Sequence, residues 1–286
     1  MMKISVMTGA FQSGMDQGKY GLDELLETLV TSGVSGLEPM WECCKNEEPV
    51  WCKLRKAAES RQFSCPCMDV AADLGSGEES INKKILQNLR QAFVCCRDDL
   101  GCPTVLLYGS KPAAGMSLEE GRKNYGVMLG CCAELAAEYG VTVCIEDYGG
   151  FPSFAASSTH CLEVLSHADS SLVRLNFDNG NFLLADEDPL EALENFKSHL
   201  IHVHIKDFQR CGSEAAVQGL CSVGGVHYAS CALGDGDGEV APCIRRLHDI
   251  GYQGWLSAEI SAPSLTWIRQ EIGYIAKALS GFITEK

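Results

Sequence analysis

The sequence predicts a closed (β/α)8 barrel that spans the chain, residues 1–286, as a single α/β domain. Three observations predict it. Short apolar runs alternate strictly with amphipathic stretches, about eight of each, and under the right-handed crossover rule that alternation gives parallel strands with helices outside them. The runs are short and mostly apolar, as buried strands are. The last four runs each end on a side chain able to bind a metal or move a proton: Glu146, Asp178, His204 and Glu259. An open doubly wound sheet would spread those four across several strand widths, whereas closure brings the eighth strand round so that all four ring one axial pocket.

The elements follow in order. Lys3–Met7 opens as a strand, Gly21–Ser32 carries leucines and valines at helical spacing, and Val34–Met40 returns to strand character. Trp51–Arg61 reads as a helix, Phe63–Val70 as the third strand, Glu79–Leu100 as a helix and Thr104–Tyr108 as the fourth strand. Ser117-Leu118-Glu119-Glu120 has the form of a capping box, with a hydroxyl to accept backbone N–H groups at the start of a long helix that Gly140 stops. The fifth strand ends at Glu146, a helix covers Ser158–Ala168, and the sixth strand ends at Asp178. A helix follows at Pro189–Lys197, and the seventh strand ends near His204. Val240–Ile250, Trp255–Glu259 and Ser264–Leu279 supply the next helix, the eighth strand and the closing helix.

Composition narrows the function classes. With 23 basic against 38 acidic residues the formal charge is −15, and such a field repels phosphodiester backbones, so nucleic acid is not an expected partner. No apolar run approaches the roughly 20 residues that span a bilayer. The 16 cysteines include neighbours such as Cys43-Cys44, Cys95-Cys96 and Cys131-Cys132, and no C-x-x-C spacing occurs. They read as small buried hydrophobes in a reducing compartment rather than as a disulfide scaffold or zinc ribbon. A cytoplasmic, soluble enzyme is the expectation.

Three carboxylates and an imidazole converging at one rim are a donor set for a divalent cation in an oxygen-rich site. His202 and His204 share parity along one strand, so both face the barrel interior. His204 stands nearer the rim and takes the ligand role, leaving His202 a satisfied core histidine one layer below. Asp178, within Asn176-Phe177-Asp178-Asn179-Gly180-Asn181, has an Asx-turn role as the rival reading. Glu38, Tyr148, Asn181 and Lys206 follow strands at the same rim and are candidate substrate contacts, with Glu38 reaching hydroxyls. Phe208–Leu233 is long for a connection and reads as a functional cover, which adds Arg210 and His227 to the candidates. Gly234-Asp235-Gly236-Asp237-Gly238 has the composition of a phosphate cradle, but it follows a loop and carries two carboxylates, so it reads as a tight turn before a helix.

Together, Cys144-Ile145-Glu146-Asp147, Asn176 to Asn181, His202-Val203-His204-Ile205-Lys206-Asp207, Leu233 to Gly236 and Gly251 to Glu259 resemble the sugar isomerase/epimerase superfamily of xylose-isomerase-like TIM barrels, in order and spacing over nearly the whole chain. The resemblance implies that Glu146, Asp178, His204 and Glu259 hold one Mn²⁺, Mg²⁺, Co²⁺ or Zn²⁺. It further implies that Glu146 and Glu259 act as an acid/base pair on opposite faces of a small ketose or aldose, through a metal-stabilised cis-enediolate. Tyr148 and Asn181 depart from the histidines that several relatives carry at those positions. Endonuclease IV, a DNA-binding member, fits poorly because its trinuclear zinc site needs more histidines. The remaining alternative is a lyase that expels a β-substituent from a keto-cyclitol or a 3-oxo-glycoside. Few basic residues suggest a phosphate clamp, and dimers or tetramers are usual among such relatives.

Overall fold

The computed structural model describes residues 1–60, 63–112, 115–148, 152–212 and 220–281. Eight parallel strands form the central sheet: β1 (Lys3–Met7), β2 (Val34–Glu38), β3 (Met68–Ala71), β4 (Thr104–Tyr108), β5 (Thr142–Glu146), β6 (Arg174–Asp178), β7 (Leu200–Ile205) and β10 (Trp255–Ala258). Their order is β2-β1-β10-β7-β6-β5-β4-β3. The two ends meet through parallel bridges at Gly36–Ser64 and Met40–Asp69. There Leu37 N–H donates to the Ser64 carbonyl and Asp69 N–H to the Pro39 carbonyl, each at 2.9 Å. The barrel is therefore closed. Two short strands, β8 (Phe208–Arg210) and β9 (Tyr228–Ser230), pair antiparallel outside it.

Sequence expectation and structure differ in instructive places. The third strand starts at Met68 rather than Phe63, because Pro66 offers no N–H to the ladder and reduces the preceding stretch to one bridge. The helix expected over Glu79–Leu100 is α-helical to Val94 and then widens into a π-turn over Cys95–Leu100, which ends where Gly101 adopts φ of +59°. Short helices at Phe11–Asp16, Trp41–Lys45 and Asn181–Leu184 directly follow β1, β2 and β6. Their few residues complete no apolar periodicity that a sequence reading could detect. The long connection after β7 contains the β8–β9 hairpin, with residues 213–219 of it outside the described set.

Helix starts obey local chemistry. Ser117, Ser157 and Ser264 accept backbone N–H bonds from Glu120, His160 and Trp267, and the Asp188 carboxylate caps a helix that has Pro189 in its first turn. Outside the barrel, the helices Leu118–Ala137 and Ser158–Ala168 approach so closely that a Cβ on Gly130 would stand 2.4 Å from the Ala168 carbonyl oxygen. All sixteen cysteines are free and ten are buried. No helix among the described residues is long and apolar enough to cross a membrane.

Candidate active site and metal centre

Strand register assembles the site. Asp178 on β6 stands beside His204 on β7, and His204 stands beside Ser257 on β10. Glu259 follows β10 directly, its N–H held by the Ile205 carbonyl at 2.9 Å. Glu146 ends β5 and pairs with Asn176 of β6, whose amide donates to Glu146 Oε2 at 3.2 Å. Side chains from four neighbouring strands therefore project from one rim of the barrel.

The centre of the cluster is His204 Nδ1. It lies 3.3 Å from Glu146 Oε2, 3.6 Å from Glu259 Oε2 and 4.0 Å from Asp178 Oδ2. The atom is buried and makes no hydrogen bond. On the other side of the ring, Nε2 is 2.9 Å from Glu38 Oε1, while Glu38 Oε2 is 2.9 Å from His202 Nε2. A carboxylate only accepts, so Glu38 places an N–H on Nε2 of each ring and leaves His204 Nδ1 directed at the three carboxylates. Burial pushes the Glu38 carboxyl up, but His202 and His204 outweigh it and hold it well below the usual carboxylate range. Burial would lower His204, yet Glu38 and Glu146 hold it well above an ordinary histidine. The pocket around Nδ1 thus attracts either a proton or a cation.

The donors fit a metal on two grounds. Oxygens of Glu146 and Asp178 and a nitrogen of His204 all lie within 4.8 Å of one another, a spacing that donors about 2.1 Å from one hard cation can adopt. The buried nitrogen without a partner supplies the second ground, since such an atom is costly unless something binds it. Glu38 also lies in two other close sets, with Cys67 and His202 and with Asp69 and His204. Both of its oxygens already accept from imidazoles, which makes it an orienting group for the ligand histidine.

Lys206 crosses the rim. Its Nζ donates to Asp178 Oδ2 and Glu259 Oε1, both at 2.8 Å, and to Asn181 Oδ1 at 3.2 Å. Burial works against its charge, but Asp178 and Glu259 raise its pKa above the usual lysine value. Burial also pushes Asp178 up to about 7 against the pull of Lys206. The two readings of Asp178 coexist: Oδ1 accepts from Gly180 and Asn181 N–H in an Asx turn, and Oδ2 faces the site.

Asp207 turns away from ligand work. Its carboxylate accepts N–H bonds from Phe208, Gly234, Gly236 and Gly238, and a Cβ on Gly236 would stand 2.3 Å from its Oδ1. The glycine-rich turn is therefore a cradle for the protein's own carboxylate, and its glycines allow the close wrap.

A cavity of about 570 Å³ opens over this cluster, with Glu146, Tyr148, Asn181, Lys206 and Glu259 in its wall. Three expected substrate contacts fall elsewhere. Glu38 is fully buried behind the two imidazoles, so its expected contact with substrate hydroxyls gives way to holding histidines. Arg210 is exposed on the β8–β9 hairpin, its N–H bound to Asp237. His227 is half-buried at the base of that hairpin, where it bridges to Cys221. Neither is in the cavity wall. Conversely, Asp69, the second residue of β3, lines the cavity. It lies inside the strand rather than at its end, so the rule that found the other ligands, an acid at the end of an apolar run, passes over it.

A family model for xylose isomerase-like TIM barrels matches residues 19–278. The chain belongs to that family. One curated relative of this xylose isomerase-like barrel, an inosose dehydratase from Clostridium perfringens (strain 13), is 31% identical over 126 residues, which are 43% of this chain and 41% of that protein. The match thus spans about two-fifths of the relative's length. Among solved structures, a probable 3-DHS dehydratase from Bacillus anthracis superposes with a TM-score of 0.74 at 15% identity, covering 98% of this chain and 99% of that one. An L-ribulose 3-epimerase gives 0.74 at 17%, covering 100% and 97%, and an IOLI protein with a bound zinc atom gives 0.72 at 16%, covering 99% and 97%. At such identities these likenesses speak for the fold of the xylose isomerase-like barrel alone.

Proposed function

We propose that this chain is a divalent-metal-dependent isomerase or epimerase of a small ketose or aldose. The observation that supports it best is the placement of Glu146 and Glu259. They come from β5 and β10, strands that flank the β6–β7 pair on either side, and they stand 3.3 and 3.6 Å from the same histidine nitrogen. Two carboxylates so placed can address two faces of one bound molecule. Glu146, Asp178, His204 and Glu259 would hold the cation, a set suited to Mn²⁺, Mg²⁺, Co²⁺ or Zn²⁺, and when bound it supplies positive charge where an oxyanion develops. One glutamate removes the proton beside the carbonyl. The other returns a proton to the opposite face for epimerisation, or to the neighbouring carbon for isomerisation. Lys206 and Asn181 position the acidic groups and reach substrate oxygens from the cavity wall.

A dehydratase is the second reading, favoured by the match to an inosose dehydratase and by the Lys206 ammonium in the cavity wall, which can give a proton to a departing hydroxyl. Proton NMR in D₂O, with Mn²⁺-loaded protein and a panel of ketoses and inososes, tests both. Deuterium entering beside the carbonyl with epimer or isomer accumulating, abolished in Glu146→Gln and Glu259→Gln, is the expected result. Loss of water instead moves the chain to the lyases, and absence of exchange with every substrate overturns the proposal.

A further inference from the structure

Asp69 is a buried acid to which no protein group donates a hydrogen bond. It is 3% exposed, neither carboxylate oxygen has a hydrogen-bond donor, and it lines the cavity. Its nearest acid, Glu38, has no proton to give, because each Glu38 oxygen already receives an imidazole N–H. Glu38 is the one side chain close enough to share a hydrogen bond with Asp69, and only by taking a proton from it, so the Asp69 carboxyl keeps acceptor capacity for what enters the cavity. The charge of the wall points the same way. Among the described residues, Lys206 is the one lysine, arginine or histidine in it, and its charge is already shared by Asp178 and Glu259.

We infer that Asp69 binds hydroxyl groups of the substrate away from the reacting carbonyl, and that the cavity therefore selects an uncharged polyhydroxy ketone over a phosphorylated or carboxylated one. The inference rests on the site being a carbohydrate pocket and goes further by naming the charge class of its substrate and a residue that reads it. A carboxyl accepts from a hydroxyl in either protonation state, and two adjacent hydroxyls match its two oxygens. A phosphate or carboxylate on the substrate would instead meet the Asp69 carboxyl, away from the cation that Glu146, Asp178, His204 and Glu259 would hold, with no second free cation in the described wall to receive it.

The test is calorimetric titration of Mn²⁺-loaded wild type, Asp69→Asn and Asp69→Ala with 2-keto-myo-inositol, D-tagatose and D-tagatose 6-phosphate. Mn²⁺ affinity is measured in parallel by chelator competition, and deuterium exchange by NMR. The expected result is binding of at least one neutral ketone, at least tenfold tighter than the phosphorylated ketose. Asp69→Ala should weaken that binding at least tenfold and Asp69→Asn by less, with Mn²⁺ affinity unchanged in both. Tighter binding of the phosphorylated ketose, no binding of either neutral ketone, an unchanged Kd in both variants, or loss of Mn²⁺ along with the ketone would each overturn it. Asp69-dependent binding without deuterium exchange would uphold this inference and remove the isomerase reading alone.

Discussion

Glu38→Gln isolates the role the fold gives to a residue that sequence logic would place on substrate. The carboxylate joins His202 and His204 at 2.9 Å each, and all three side chains are nearly or wholly buried. A glutamine fills the same volume, but its amide presents one acceptor and one N–H₂ group to two imidazole N–H donors, so one contact becomes a clash of donors. Removing one partner from a buried charged network costs about 3–5 kcal/mol, which for a chain of this size lowers Tm by roughly 5–8 °C. His204 also loses the group that fixes its tautomer and strengthens Nδ1 as a ligand. Loss of such support typically weakens metal binding about 10–100-fold, or about 1.4–2.7 kcal/mol. Mn²⁺ affinity by competition with a chromophoric chelator, measured well below the variant's Tm, gives the first number, and calorimetry gives the second. A variant that keeps wild-type Mn²⁺ affinity within twofold, melts within a degree of wild type and shows only a raised KM would refute the orienting role and return Glu38 to the substrate.

Metal affinity should rise with pH. His204 is held above the usual histidine range and Asp178 near 7, so the metal-free site carries protons at neutral pH that the cation must expel. The sign is that protonation wins as pH falls below those raised values, and binding enthalpies measured in buffers of different ionisation heat should reveal proton release; buffer-independent enthalpies would contradict it. Lys206→Met should strengthen Mn²⁺ binding severalfold, because the ammonium bridging Asp178 and Glu259 competes with the cation for their charge, and chelator competition that shows weaker binding would count against this. Gly130→Ala should destabilise by about 1–3 kcal/mol, as expected of overpacking, because its Cβ would stand 2.4 Å from a backbone carbonyl; denaturant unfolding with an unchanged midpoint would disprove the close contact. In native protein Cys52 and Cys131, both exposed, should label first with a thiol reagent, and buried thiols such as Cys96 and Cys144 only on unfolding; prompt labelling of all sixteen would mean the core is not closed.

Much of the site was legible because β-strand chemistry is local. A charged side chain after a run such as Val143-Cys144-Ile145 has few structural reasons to be there, and position along the strand separated His204 near the rim from His202 below it. The Asx turn at Asp178 and the serine cap at Ser117 were likewise readable from neighbouring residues. Residues were misplaced for two reasons. Glu38 follows the same strand-end rule as the ligands, but it turns inward because two imidazoles from across the barrel meet it. Arg210 and His227 were placed at the site by loop length, which says nothing about the direction in which a hairpin folds.

The sequence by itself determined the alternation of strands and helices and the residue types set at the ends of the last four strands, because hydrophobic period, caps and turn glycines act over a few positions. Only the tertiary structure decided that Ser64 and Asp69 bridge to β2 to close the barrel, that Asp207 is enclosed by four backbone N–H groups, and that Lys206 spans two of the four candidate ligands. Each of those depends on distances between strands far apart in the chain, and charge and hydrogen bonding are settled by such distances rather than by order along the sequence.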